Sequence, residues 1–256
     1  MSKNTARKAA EAILRRLRRD GYEAYLAGGC VRDILMGTEP KDYDIATSAT
    51  PQQICRIYPR AQKVGAHFGV VIVRQFGQQV EVATFRTDGP YRDGRHPETV
   101  TFSTAQADSK RRDFSINGMF YDPESDRVID YVGGQADLRR KLIQAIGNPE
   151  QRFEEDHLRM LRAVRFACSL GFDIEQETFE AIYNRASKIA SISPERIREE
   201  LEKILCAPGR ADGFRLLCES GLLPHLWPDP SWSTEQIERS RRALSALPQK
   251  PRSRWP

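Results

Sequence analysis

Asp42 and Asp44 lie two residues apart in Lys41-Asp42-Tyr43-Asp44-Ile45, just downstream of Gly28-Gly29-Cys30-Val31-Arg32-Asp33. On a strand, alternate side chains share a face, so this spacing predicts two carboxylates projecting to one side. Held that close, they repel unless a cation sits between them. A hard divalent ion such as magnesium takes oxygen ligands and keeps positions open for phosphate oxygens. Gly28 and Gly29 lack a Cβ, so the backbone there can press against a ligand and aim its N–H groups at an anion. Strand, Gly-Gly turn, helix carrying Arg32, then Asp-x-Asp: that order describes a nucleotidyl-transfer site.

The elements that must position these groups follow from the apolar pattern. The stretch from Tyr25 to Ala27, and Tyr43 with Ile45, predict short strands, with a helix from Cys30 to Met36 between them. Thr50-Pro51 is an N-cap followed by proline at the first helical position, opening a helix through Ile57. Val70 to Phe76 and Val80 to Phe85 are β-rich runs that predict a hairpin joined at Gly77-Gln78. Glu81 rides on the second run; a hairpin beside the aspartate strand would let it complete a carboxylate cluster. Thr87 to Arg95 is polar and predicts a long, mobile loop, with a strand returning over Thr99 to Phe102. A helix is expected through Arg111 and Arg112, then strands over Arg127 to Val132 and Leu142 to Ile146 around a short helix.

After Asn148-Pro149 helical patterns take over: Arg152 to Leu170, Glu175 to Ser187, Pro194 to Leu205, Arg210 to Ser220 and Thr234 to Leu247. Gly171 and Gly221 fall where C-terminal caps belong. The reading is an α+β head over residues 1–148, an all-α region over 149–247, and a loose tail over 248–256.

Composition bounds the function. The 256 residues can bury a real core, and the net charge of +5 favours a polyanionic partner. No apolar run approaches the length of a membrane span. Cys30, Cys55, Cys168, Cys206 and Cys218 are scattered, odd in number and without CxxC spacing, which fits a reduced cytoplasmic setting without structural zinc. His67, His96, His157 and His225 form no metal-ligand set in the sequence and read as surface or packing residues. The basic run from Lys3 to Arg19 carries Ala9, Ala10, Ile13, Leu14 and Leu17 at helical spacing. A mitochondrial presequence has a similar pattern. Glu11, Asp20 and the immediate run into the first strand favour an ordinary leading helix.

The run Gly28-Gly29-Cys30-Val31-Arg32-Asp33, Gly37, Asp42-Tyr43-Asp44 and Thr47 resembles the signature of the class II tRNA nucleotidyltransferase and bacterial poly(A) polymerase family. Arg111-Arg112-Asp113-Phe114-Ser115-Ile116-Asn117-Gly118 resembles its second block, Ser115 and Gly118 being mild departures. Glu155-Asp156-His157-Leu158-Arg159 resembles the block that selects the incoming base. The resemblance is strong over Tyr25 to Phe172 and looser to Trp227.

It implies a small mixed-sheet, polymerase-β-like head followed by a helical neck. It implies magnesium held by Asp42 and Asp44, and Glu81 as third catalytic carboxylate with Asp113 competing for that role. Gly28, Gly29, Arg32 and Arg112 would contact the triphosphate, and Asp156, Arg159, Arg162 and Arg165 the nucleotide. The loop around Asp93-Gly94-Arg95-His96-Pro97 resembles the element with which these enzymes switch nucleotides.

The chemistry shows why an Asp and an Arg suffice as a base reader. Cytosine and adenine each present an exocyclic amino donor beside a ring-nitrogen acceptor, matching a carboxylate and a guanidinium. Uracil and guanine present the reverse order and leave a desolvated charge facing its like, costing roughly 1–3 kcal/mol per mismatched group. Asp156 and Arg159, three residues apart, are expected on one helix surface.

The expected activity is template-independent addition of C and/or A from CTP and ATP to the 3′ end of tRNA. Alternatives are a poly(A) polymerase, a partial CC- or A-adding enzyme, or a truncated, non-catalytic RNA- or nucleotide-binding relative. Lys63-Val64-Gly65-Ala66-His67-Phe68-Gly69-Val70 is similar to the tRNA-directed branch, without the more basic run of the polymerases. Family members continue into helical body and tail domains that grip the tRNA elbow. This chain stops soon after the neck, as a fragment, frameshifted product or minimal form would.

Overall fold

Apolar residues three and four apart in the leading segment decide where the head builds its core. Helix α1 (Asn4–Arg19) turns Ala9, Ala10, Ile13, Leu14 and Leu17 inward, all fully buried. They pack with Leu26, Ile45, Val71, Val73, Val80 and Val82, the inward residues of successive strands. A computed structural model describes residues 4–64, 68–91, 97–227 and 233–248. His67, His96, the loop residues 92–96 and most of the 248–256 tail lie outside the described residues.

Contacts divide the chain into two compact units. One holds the chain up to Pro90 with Pro97–Leu138; the other holds Tyr91 with the chain from Arg139 onward. In the first, β1 (Ala24–Ala27), α2 (Gly29–Leu35), β2 (Asp44–Thr47) and α3 (Pro51–Ile57) follow α1. A hairpin of β3 (Val70–Gln75) and β4 (Gln78–Thr84) comes next, then a second of β5 (Arg86–Asp88) and β6 (Val100–Phe102). α4 (Ala105–Lys110), β7 (Phe120–Asp122), β8 (Arg127–Ile129) and α5 (Gly134–Arg140) complete the series.

The main sheet is six-stranded and mixed, in the order β3-β4-β2-β1-β7-β8. β2 lies antiparallel to β1 and parallel to β4, which brings the hairpin against the aspartate strand. Thr50 caps α3 with a reciprocal capping box through Gln53, an arrangement worth about 1 kcal/mol.

Several expectations shift. The hairpin turn is Phe76-Gly77, both at positive φ (49° and 73°), as a type I′ hairpin turn requires, rather than Gly77-Gln78. Thr87 and Asp88 belong to strand β5 rather than to a loop. α4 ends at Lys110, so Arg111 and Arg112 follow the helix instead of lying within it. β7, only three residues long, is not predicted by the sequence pattern.

The second unit opens with β9 (Leu142–Ile143), which pairs in parallel with β10 (Asp173–Ile174). That pairing ties β9 to the helical region, and the two compact units divide at Leu138. Between the two strands come α6 (Pro149–Glu155) and α7 (Leu158–Leu170). α8 (Gln176–Arg185), α9 (Pro194–Leu205), α10 (Arg210–Glu219), α11 (Leu223–Leu226) and α12 (Thr234–Ala246) follow. The single helix expected over Arg152 to Leu170 is therefore two, broken at Asp156-His157. Among the described residues no helix is long and apolar enough to cross a membrane.

Candidate active site

Alternation along the strands separates a packed face from a polar one. Ile45 and Val82 pair across β2 and β4 and are buried against α1; one residue back, Asp44 and Glu81 stand side by side on the opposite face. Ala27 is the partner of Asp44 on β1, so a small side chain completes the row. Ala27, Ala46, Phe85 and Phe120 form a second apolar cluster on this same side of the sheet, apart from the core against α1. Asp42 is exposed in the bend before β2, so only Asp44 is on the strand. Tyr43 between them is buried, while Asp42 stays close enough for its charge to act on Asp44.

The electrostatics register the crowding. Asp44 keeps an open face to solvent, but protein hems in its carboxyl on the other sides. That desolvation, then the negative charges of Glu81 and Asp42, push its pKa up to about 6 against the pull of Arg112. Among the described residues, no three His, Cys, Asp or Glu side chains converge tightly enough to enclose a metal ion. Two aspartates with Glu81 alongside make an open set of hard oxygen donors. That set suits an ion that retains water and takes its other ligands from a triphosphate. Asp113 is engaged elsewhere: its Oδ1 accepts from the Phe114 amide at 2.8 Å and from Asn117 Nδ2 at 3.4 Å. It is not among the charges acting on Asp44.

The chain leaves β1 through Gly28, at φ 73° and ψ −134°, a conformation that glycine adopts at little cost. A Cβ on Gly28 would come 3.2 Å from Nη1 of Arg112, and one on Gly29 3.6 Å from Nη2 of Arg32. The two guanidinium groups thus flank the glycine turn. Asn117 joins them: its side-chain oxygen accepts from Arg32 at 2.9 Å and its backbone oxygen from Arg112 at 3.4 Å. Arg32 is braced further by Asp33, at 2.7 Å. Arg112 lies over the Phe120 ring, 5.0 Å from its centroid.

Two residues here escaped the sequence reading. Asn117, within the Arg-Arg-Asp-Phe motif, gives no local sign of bridging Arg32 and Arg112. Asp108 has one local signal, its position three and four residues before Arg111 and Arg112, which is a helical ion-pair spacing. It is only 1% exposed, and its two oxygens hold both arginines. Burial alone would raise its pKa, but Arg112 and Arg111 outweigh this and hold the carboxyl below its ordinary range.

In the helical unit Asp156 and Arg159 do not share one helix surface as expected, because Asp156 lies at the end of α6 and Arg159 in α7. Asp156 ends α6 in an extended conformation, and its Oδ1 accepts from the Leu158 amide at 3.1 Å as α7 begins. Its carboxylate faces Arg196 at 3.4 Å. Arg159 is buried in the first turn of α7 and donates to Glu155 at 2.6 Å and to the Arg152 carbonyl at 3.0 Å. Each is therefore pre-oriented by a different partner. Arg165 pairs with the buried carboxylate of Glu200 at 2.6 Å. Both Arg162 and Arg165 lie over the Phe166 ring, at 5.4 and 4.0 Å. His157 is buried, its Nδ1 2.7 Å from the Phe153 carbonyl oxygen, a packing role.

Comparison with known proteins bears on this arrangement. Residues 24–144 match the poly A polymerase head domain, and residues 171–232 match the probable RNA and SrmB-binding site of polymerase A. The chain belongs to the tRNA nucleotidyltransferase and poly(A) polymerase family. It is 47% identical to a CCA-adding enzyme of Geobacillus kaustophilus over 85% of this chain and 54% of that protein. With a Bacillus velezensis CCA-adding enzyme the identity is 41%, over 92% and 59%. A crystal structure of the Bacillus stearothermophilus CCA-adding enzyme in complex with CTP superposes with TM-score 0.82 at 41% identity, covering 93% of this chain and 57% of that one. The Thermotoga maritima CCA-adding enzyme complexed with tRNA matches at TM-score 0.74 and 26% identity, over 90% and 54%. The chain thus spans little more than half the length of the curated relatives it matches.

Proposed function

We propose that this chain is a template-independent nucleotidyltransferase that adds C and A from CTP and ATP to the 3′ end of tRNA, releasing pyrophosphate. The observation that carries the reading is the row Ala27, Asp44, Glu81, set beside a glycine turn that two arginines flank. CCA-adding enzymes as relatives, two of them solved with CTP and with tRNA, support the choice of substrates.

Asp42 and Asp44 would hold magnesium through their carboxylate oxygens. When bound, the ion supplies positive charge that makes the primer 3′-hydroxyl a better nucleophile and offsets charge on the leaving pyrophosphate. Glu81 deepens the negative potential at Asp44 and so strengthens cation capture. Gly28 and Gly29 keep the turn open, and Arg32 and Arg112 hold the triphosphate so that pyrophosphate departs in line with the attacking oxygen. Asp156 accepts from the amino group of C or A and Arg159 donates to the ring nitrogen. Arg162 and Arg165 contribute further nucleotide contacts, where planar bidentate geometry favours arginine. All five cysteines are free thiols, as a reducing compartment allows, and we place the protein in the cytoplasm.

Polyadenylation is the second reading, because the matched head domain is described for poly(A) polymerases. Incorporation of each labelled NTP into tRNA ending before CCA, tRNA ending in CC, and oligo(A) decides between them. We expect C then A on the first, A on the second, and nothing on oligo(A). Extension of oligo(A) alone would favour polyadenylation, and no incorporation anywhere would leave a binding protein.

A further inference from the structure

Arg112 has five N–H donors in a planar fork, and the direction in which the fork points decides whether it can serve a phosphate. Asp108 fixes that direction. Its Oδ2 accepts from Nε of Arg112 at 3.1 Å and from Nη2 at 3.0 Å, a two-point grip. Nη1 is left at the end nearest Gly28, where a Cβ on the glycine would come within 3.2 Å of it. Its hydrogen bond to the Asn117 carbonyl, at 3.4 Å, is long.

The other oxygen of Asp108 serves different groups. Oδ1 accepts from the Arg86 amide at 3.2 Å and from Arg111 Nε at 2.9 Å. Arg86 in turn pairs with Asp88 at 2.9 Å, and Arg111 reaches Asp88 at 3.6 Å. One oxygen thus anchors the base of the β5–β6 hairpin, and the other aims Arg112.

We propose that Asp108 is a positioning residue for triphosphate binding, acting through Arg112 by holding Nε and Nη2 and presenting Nη1 at the Gly28-Gly29 turn. The proposal rests on the phosphate-binding role given to Arg112 above. A carboxylate so deeply buried is costly unless its charge is paired, and replacing it would free the guanidinium to swing.

The test is a double-mutant cycle on the full chain with Asp108→Asn, Arg112→Ala and the pair, reading KM for CTP, kcat, the inhibition constant of cytidine and the melting temperature. Asp108→Asn retains an acceptor for the Arg86 amide but turns a donor toward Arg112. It should raise KM for CTP about tenfold, the loss of a charge-assisted pair, and leave kcat and the cytidine constant within about twofold. In the Arg112→Ala background the same change should alter KM less than about twofold. Equal factors in both backgrounds, or a lower melting temperature with unchanged KM, would make Asp108 purely structural and overturn the proposal.

If Asp108→Asn melts below the assay temperature, Arg112→Lys carries the test. A lysine keeps the charge but cannot span Asp108 and a phosphate together. KM for CTP raised about tenfold at an unchanged cytidine constant supports the proposal, and an unchanged KM overturns it. Absence of CTP incorporation by the wild-type chain would instead defeat the nucleotidyltransferase reading beneath it.

Discussion

The carboxylates of Asp44 and Glu81 stand side by side on adjacent parallel strands, one residue before the Ile45–Val82 pair. Adjacent strands lie about 4.8 Å apart, so two like charges share one patch of sheet. Together with desolvation this lifts the Asp44 pKa to about 6.

A pH dependence follows. A carboxyl whose folded pKa exceeds its unfolded value of 3.8 favours folding while protonated, and that contribution is lost as pH rises towards 6. In chelator, the melting temperature should fall across this window through Asp44, and Asp44→Asn should remove that part of the slope. At neutral pH the Asn variant should melt above wild type while losing nucleotide incorporation. Melting curves from pH 4 to 7 with parallel CTP-incorporation assays check both; an Asn variant that still turns over would remove Asp44 from the chemistry.

Gly28 tests the turn. Alanine there adopts φ 73° only with strain, and its methyl group would press on Arg112 Nη1 at 3.2 Å. We expect Gly28→Ala to cost about 1–3 kcal/mol of stability and to raise KM for CTP. Thermal unfolding and initial-rate kinetics measure the two effects separately.

In the proposed function base selection falls to Asp156 and Arg159, which are braced by different partners, Arg196 and Glu155. Asp156→Ala or Arg159→Ala should admit UTP or GTP, with discrimination falling about tenfold or more per lost contact. Arg196→Ala, which frees Asp156, should weaken selection less than Asp156→Ala. Competition between labelled nucleotides on one tRNA substrate reads all three.

Helix α1 separates a core element from a detachable leader. Leu14 is fully buried, whereas Arg15 points to solvent. Leu14→Ala should destabilise the head by about 2–5 kcal/mol, and Arg15→Ala by less than about 0.5. Equal effects in chemical denaturation would argue against α1 as part of the core.

Local signals carried much of this. The alternation in Val80-Glu81-Val82 marked a half-buried strand, Thr50-Pro51 marked a helix start, and the α1 pattern named its buried residues in advance. Each depends on a period of 2 or 3.6, or on a cap within four residues, so each is written in neighbouring residues. The break at Asp156-His157 was invisible because the apolar period runs on through it. A side chain bonding the Leu158 amide ends one helix and starts the next.

The sequence by itself determined the inventory: two aspartates, a glycine turn, an arginine pair and a helical second half, because residue types and short spacings set those. Only the tertiary structure decided which distant groups meet. Glu81 rather than Asp113 became the neighbour of Asp44 because β4 pairs in parallel with β2, a register that no local period encodes. Asp108 gained its grip on Arg112 because burial excludes water there, and an unpaired carboxylate could not persist without its cations.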